Sequence, residues 1–326
     1  MQPFEYARQN SVRASVPMLQ DARVLAGGTT LYDLMKLDVE HPARVVDINA
    51  LPELRGMDTS GDELRFGALV RMAEAVEDAR LQKEFPLLSE ALWKAASQQI
   101  RNMASLGGNL LQRTRCAYFR HGEPFACNKR NPGSGCAAQE GSNRGHALLG
   151  GSADCIATYP GDFAVALLAM DARVDVTGPQ GARTLPLGDL HRRPEATPHL
   201  ETTLAPDEII TAIRVPADAV GRASTYHKIR DRESYAFAVV SAAVALRIEG
   251  GTIADARIAL GGVATVPWRA REAERSLIGL PLTTASAAEA GRLAFAEART
   301  RPDNAFKVTL GANTVADALM IAAGRA

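Results

Sequence analysis

From Leu111 to Gly151 the hydrophobic periodicity that runs through the rest of the chain stops. The segment is rich in Gly, Pro, Asn and Arg and poor in aliphatic side chains, so neither a helical nor a strand pattern organises it. An irregular stretch of this length inside a compact domain is usually either functional or disordered. The cysteines favour function. Of the four in the chain, Cys116, Cys127 and Cys136 lie inside the segment and Cys155 follows it closely. Four unrelated buried thiols are the plain alternative.

On either side the pattern is regular. RVLAGG reads as a strand and TLYDLMKLDV as a helix; RVVDINAL and, after the turn SGDE, ELRFGALV read as strands. Apolar residues recur at helical spacing in AEAVEDARL and PLLSEALWKAASQQIRN. After the insertion, FAVALLAMDARVDV predicts a helix leading into a strand. LPLGDLHRRPEATPHLETTLAPDE is a polar, proline-dotted connection, and EIITAIRVP is a strand. Beyond Pro216, STYHKIR, FAVVSAAVALRIEGG and TIADARIALGGVA alternate around an EGGT turn and predict antiparallel strands, before a helical, alanine-rich end. The expectation is an α+β protein with a boundary near residue 217. An α/β part covers 1–217, divisible at about residue 55 and carrying the insertion over about 112–155; an α+β part covers 218–326. No internal repeat is evident.

Composition excludes several partners. Lysine plus arginine equals aspartate plus glutamate at 37 each, which gives no electrostatic reason to expect nucleic acid or an anionic membrane. No apolar run approaches the roughly 18 residues of a membrane span. The start, MQPFEYARQNSVRASV, lacks the apolar core of a secretory signal, so the chain by itself reads as cytoplasmic, a compartment in which disulfides are rare.

LAGGTTL (25–31) follows a strand and opens a helix. Paired glycines there let backbone N–H groups approach an anion, and the helix N-terminus adds partial positive charge. Thr29 and Thr30 supply hydroxyls as donors or caps. SLGGNLLQ (105–112) repeats the arrangement. Neither fits the G-x-G-x-x-G or Walker pattern, and singly each is an ordinary turn. Together they suggest a diphosphate held between two loops.

LAGGTTLYDLMK, ASLGGNLLQRTRC, YPGDFAVAL and HKIRDRESYAFAVVSAAV, in that order, resemble the FAD-binding subunit of the molybdenum hydroxylases, the group of xanthine dehydrogenase, carbon monoxide dehydrogenase and aldehyde oxidoreductase. The resemblance spans essentially the whole chain. It implies a two-part FAD-binding domain of the vanillyl-alcohol-oxidase (PCMH) type, then an α+β C-terminal flavoprotein domain with an antiparallel sheet and helices. It further implies that Ala26, Gly27, Gly28, Thr29 and Thr30, flanked by Leu25 and Leu31, wrap the FAD pyrophosphate. Ser105, Gly108 and Asn109 would bind phosphates and the ribitol region, and Asp162 the adenosine ribose. Ile210 and Lys228 would lie against the flavin ring, where a cation stabilises the anionic reduced form. Each has a plainer alternative: Asp162 as a helix N-cap, Lys228 as a surface lysine, Tyr235 (a further ring neighbour) as a core tyrosine. Gly28 stands where xanthine dehydrogenases carry asparagine, which removes one side-chain hydrogen bond but not the backbone cradle.

CNKR, PGSGCAA and CIAT narrow the resemblance to the flavoprotein subunit of bacterial periplasmic aldehyde oxidoreductases, with a comparable insertion in the β subunit of 4-hydroxybenzoyl-CoA reductase. It implies a 4Fe–4S cluster beside the FAD, bound by Cys116, Cys127, Cys136 and Cys155. On their own the intervals of ten, eight and eighteen residues contain neither the tight pair of a structural zinc site nor compact ferredoxin spacing. Four thiolates on a flexible segment can still converge, because loop closure grows costly only slowly with length. Arg113, Arg115, Arg120, Lys129, Arg130 and Arg144, against only Glu123 and Glu140, predict positive surroundings suited to an anionic cluster or to docking another subunit. His121 and His146, ligands in a competing zinc reading, are expected to be solvated.

The implied function is electron transfer. A molybdenum-cofactor large subunit would oxidise an aldehyde, a 2Fe–2S small subunit would pass electrons on, and this chain would collect them on FAD for an external acceptor. No catalytic acid, base or nucleophile is evident. A signal-bearing partner would carry the chain to the periplasm; otherwise it is cytoplasmic. The alternatives are a free-standing flavin oxidoreductase with its own substrate pocket and a structural zinc-binding adaptor.

Overall fold

A computed structural model describes all residues 1–326. Three short parallel strands, β1 (Glu5–Arg8), β2 (Ala22–Leu25) and β3 (Arg44–Asp47), form a sheet in the order β1-β3-β2. Val46 on the central strand is sealed beneath Val12, Leu19, Leu51 and Leu54. A second sheet comprises β4 (Met57–Asp58), β5 (Glu63–Gly67), β6 (Arg173–Gly178), β7 (Gly181–Pro186) and β8 (Ile209–Pro216), ordered β4-β5-β8-β6-β7 with every neighbouring pair antiparallel. The part expected as α/β is therefore parallel only in its first sheet. Phe66 from β5 meets Phe163 of the helix Phe163–Ala169 edge to face at 6.5 Å in the main core.

The third sheet is antiparallel, β12-β11-β10-β9, from β9 (Ala223–Ile229), β10 (Val240–Glu249), β11 (Thr252–Gly261) and β12 (Trp268–Arg269). Gly250 and Gly251 turn the β10–β11 hairpin with φ of 57° and 83°, the doubly positive φ that a type I′ turn requires. Val240, Ala242, Val244 and Leu246 pack with residues of the helices Thr284–Leu293 and Phe306–Ala323. Ala243 and Ala245, on the opposite face, join the main core. Burial on both faces explains why β10 reads as a nearly unbroken apolar run.

Local capping cuts the helical stretch after Met72 into pieces. Asp78 accepts a hydrogen bond from Leu81 N (2.9 Å) at one new start, Pro86 occupies the first position of the next, and Ser97 caps Ile100 N (3.3 Å) at a third. β7 went unseen in the sequence because it is an edge strand, exposed along most of its length.

The insertion has almost no regular structure: one helical turn, Ala117–Arg120, and single bridges pairing Cys127 with Cys136 and Leu149 with Ala264. Ion pairs and backbone contacts hold it instead. Arg113 donates to Glu201 Oε1 from two nitrogens (2.8 and 2.7 Å), also pairs with Glu40, and lies 4.5 Å over the Phe119 ring. Asp33 takes both Arg115 (3.2 Å) and Arg120 (2.7 Å); Lys129 pairs with Glu201 at 3.3 Å; Arg144 pairs with Asp231 at 2.9 Å. Arg130 donates to backbone carbonyls, among them Tyr118 (2.8 Å) and Phe119 (2.9 Å). At the other end, Leu148 N donates to Val263 O (2.8 Å) and Arg299 N to Leu148 O (2.8 Å). Five of the six cations pair with four carboxylates from distant parts of the chain, Asp33, Glu40, Glu201 and Asp231, while Arg130 is held by carbonyls, so the surroundings stay net positive but are largely tied up.

Burial alone would raise the Glu201 pKa, but Lys129 and Arg113 overcome it and hold the carboxyl below its usual range. The pairing therefore stabilises the fold fully above the unfolded glutamate value, about 4.3, and is lost as pH falls through the depressed folded value. Arg113→Met should cost about 2–3 kcal/mol, below the ~3–5 of a fully buried pair, because both partners keep some exposure. Urea melts should show that deficit at pH 7 and a smaller one below pH ~4, where Glu201 in the unfolded reference is already protonated.

Candidate functional site

The two glycine segments press directly on one another. A Cβ on Gly27 would lie 2.1 Å from Met103 O, so only glycine allows the backbones to touch here. Gly28 has φ +72°, which an L side chain rarely adopts. Asn49 pins the first loop by donating to Ala26 O (2.8 Å). The second segment is not a loop. Ser105 caps the short helix Leu106–Leu110, its hydroxyl accepting from Gly108 N at 3.3 Å. Gly107 is required by packing, since its Cβ would meet Ala68 Cβ at 2.8 Å.

Beside these segments opens a cavity of about 460 Å³, within the ~300–1,000 Å³ usual for ligand and cofactor sites. Ala26 through Leu31, Ser105, Gly108 and Ile210 lie on its wall; Leu25 and Asn109 do not line it. Asn109 Oδ1 is buried without a hydrogen-bond partner. Asp162 and Lys228 are not on the wall either. They meet each other: Lys228 Nζ donates to Asp162 Oδ2 (2.7 Å) and to Lys94 O (2.9 Å), while Tyr226 OH donates to Asp162 Oδ1 (2.6 Å). The lysine side chain is fully buried, which removes the surface reading, and the carboxylate makes no cap hydrogen bond to its helix. Burial pushes the Asp162 pKa up, against the pull of Lys228 and Tyr226. Tyr235, with φ 51°, is 55% exposed and is not a core residue.

Sequence reasoning missed His191, which lines the same cavity. Its Nε2 lies 2.9 Å from Leu110 O, which also accepts from Tyr159 OH at 3.0 Å. A carbonyl only accepts, so the ring proton is on Nε2 and the partnerless Nδ1 is an acceptor. Burial pushes its pKa down to about 4, keeping the ring neutral. Nothing in the polar connection around it distinguished this histidine.

All four cysteines line one further cavity, small at about 10 Å³, and none is in a disulfide. No three His, Cys, Asp or Glu side chains stand close enough to hold a single metal ion. Burial pushes the Cys116 thiol up to about 12 and the Cys155 thiol up to about 11. Ala157 N donates to Cys155 Sγ (3.4 Å), and His146 Nε2 lies 3.2 Å from Cys116 Sγ. His146 is therefore buried rather than solvated; His121 is exposed as expected. Lys129, Cys155 and Ala157 belong to the walls of both cavities.

Residues 2–218 match the family model for the FAD binding domain in molybdopterin dehydrogenase, and residues 224–322 that for the CO dehydrogenase flavoprotein C-terminal domain. The chain belongs to this family, as the FAD-binding subunit of a molybdenum hydroxylase. It is 42% identical to the aldehyde oxidoreductase FAD-binding subunit PaoB of Escherichia coli K12, over 100% of both chains. The carbon monoxide dehydrogenase medium chain of Hydrogenophaga pseudoflava is 29% identical, over 86% of this chain and 82% of that one. Among solved structures, reconstituted CO dehydrogenase from Oligotropha carboxidovorans superposes with a TM-score of 0.79 at 25% identity, covering 100% of this chain and 99% of that one. No helix is long and apolar enough to cross a membrane.

Gly27→Ala should lower stability by at least the ~1–3 kcal/mol of overpacking, and should reduce bound flavin per protein, read from absorbance after gel filtration. Lys228→Met leaves a buried carboxylate uncompensated, so chemical denaturation should show a loss of about 3–5 kcal/mol.

Proposed function

We propose that the chain is the FAD and 4Fe–4S electron-transfer subunit of a molybdenum-cofactor aldehyde oxidoreductase, receiving electrons from a 2Fe–2S subunit and releasing them to an external acceptor. FAD supplies the exchange between one-electron and two-electron carriers. Ala26 to Thr30, Ser105, Gly108 and Ile210 would hold it along the larger cavity, with Leu25, Leu31 and Asn109 supporting them. The Asp162–Lys228 pair lies off that wall and ties β9 to the start of the helix Phe163–Ala169.

The observation that carries the cluster is convergence: cysteines spread from 116 to 155 line one cavity although no three ligands close on one ion. A centre of several metals, with one thiolate on each, suits such a set better than mononuclear zinc. Cys155 and Lys129 line both cavities, which supports a reading in which the cluster would lie beside the FAD. The aldehyde substrate class comes from the relative's name, and its oxidation belongs to the partner.

Metal, acid-labile sulfide and flavin analysis of the purified complex tests this. The expected result is one FAD and four irons beyond those of the 2Fe–2S subunit, with the extra paramagnetic signal lost in Cys127→Ser. Iron matching the partner alone would sink the cluster while leaving the flavin reading intact.

A further inference from the structure

Each sulfur of the proposed cluster site has different neighbours. Cys155 Sγ accepts only the Ala157 amide as a direct hydrogen bond, and no side-chain donor reaches Cys127 or Cys136 sulfur. Cys116 alone is approached by a side chain, His146, at 3.2 Å. The backbone that carries this ring is held in place. His146 N donates to Asn143 O (2.9 Å), and its carbonyl accepts from Lys307 Nζ (3.3 Å) and Asn304 Nδ2 (3.5 Å). Lys307 is itself buried and also donates to Gly262 O (2.7 Å), so the histidine is fastened to the C-terminal helix Phe306–Ala323.

The proton position follows from the neighbours. Bound to the proposed cluster, Cys116 would be a thiolate that only accepts, and a ring lone pair aimed at it from 3.2 Å would repel. The other nitrogen, Nδ1, is buried with no partner at all. A proton on Nδ1 would leave a buried donor unsatisfied and a lone pair facing sulfur, so it belongs on Nε2. We infer that His146 donates an N–H···S hydrogen bond to Cys116 and thereby raises the reduction potential of the cluster; the inference rests on the cluster proposed above.

The physical basis is charge. Reducing a cluster adds negative charge that spreads onto its thiolates, and a hydrogen bond to sulfur stabilises the reduced form more than the oxidised one. In a dry site such a donor is worth more than in water. His146 acts through Cys116, so it is a positioning and tuning residue, not a catalytic one. Its placement is asymmetric: it acts on Cys116, whereas Cys155 is the cysteine on the wall shared with the larger cavity.

The test is redox titration of the cluster EPR signal in the purified complex, with iron and FAD content measured in parallel. His146→Leu with full iron should move the midpoint to more negative potential, by about tenfold in the equilibrium for reduction, or ~59 mV for one electron. His146→Gln, which keeps an N–H donor, should move it less. An unchanged midpoint in His146→Leu, or equal shifts in both variants, overturns the proposal, since packing alone would then explain the contact. If His146→Leu loses iron, pulsed EPR of the reduced wild-type complex carrying 15N-histidine decides. A hyperfine coupling to one histidine nitrogen is expected, and its absence overturns the proposal. Wild-type iron matching only the 2Fe–2S partner would instead remove the cluster itself, before any variant is compared.

Discussion

Arg113, held between Glu40 and Glu201, is the interaction on which the rest of the arrangement depends. Ordering each residue of a segment without helix or strand costs about 1–2 kcal/mol of backbone entropy, with no ladder to offset it. Charged groups withdrawn from water pull strongly on their partners only if those partners are in place. A single guanidinium that joins a residue before β3, a residue before β8 and the start of the insertion therefore fixes three distant pieces at once. Phe119 beneath it and Lys129 beside Glu201 extend the same knot towards the cysteines.

The glycine contacts supply the complementary constraint. Where Gly27 meets Met103, backbone touches backbone, and Gly107 packs directly on the Cβ and carbonyl of Ala68. Close approach seats the loop after β2 on the end of the helix Gln98–Met103 and leaves the larger cavity along that seam. The small residues of β10 do the same for the third sheet, whose Ala243 and Ala245 let it lie flat on the main core. Both faces of the seam are thus set by what is missing from the sequence, namely bulk.

Much of this architecture was legible because it follows from local rules. The hairpin at Gly250 and Gly251, the strand before LAGGTTL and the helical C-terminal end rest on turn chemistry and periodicity, and the α+β class followed from them. What could not be read depended on residues far apart in the chain. The arginines of the insertion looked unpaired because Asp33, Glu40, Glu201 and Asp231 lie outside it. Lys228 looked like a surface lysine because its counterion is Asp162, and His146 looked solvated because its roof is the C-terminal helix. Ser105–Leu110 looked like a loop because its two glycines are poor helix formers, yet a serine cap and the backbone of Ala68 hold it helical.

The wall shared by the two cavities has a consequence for how the protein matures. Lys129, Cys155 and Ala157 all come from the insertion or its immediate end, yet they close one side of the larger cavity. That cavity is complete only after the insertion has folded onto the sheets. Ordering the insertion therefore completes that cavity, whereas an unfolded insertion would leave one of its sides open. A ligand that needs the complete cavity would in turn favour the folded insertion, because such coupling is reciprocal.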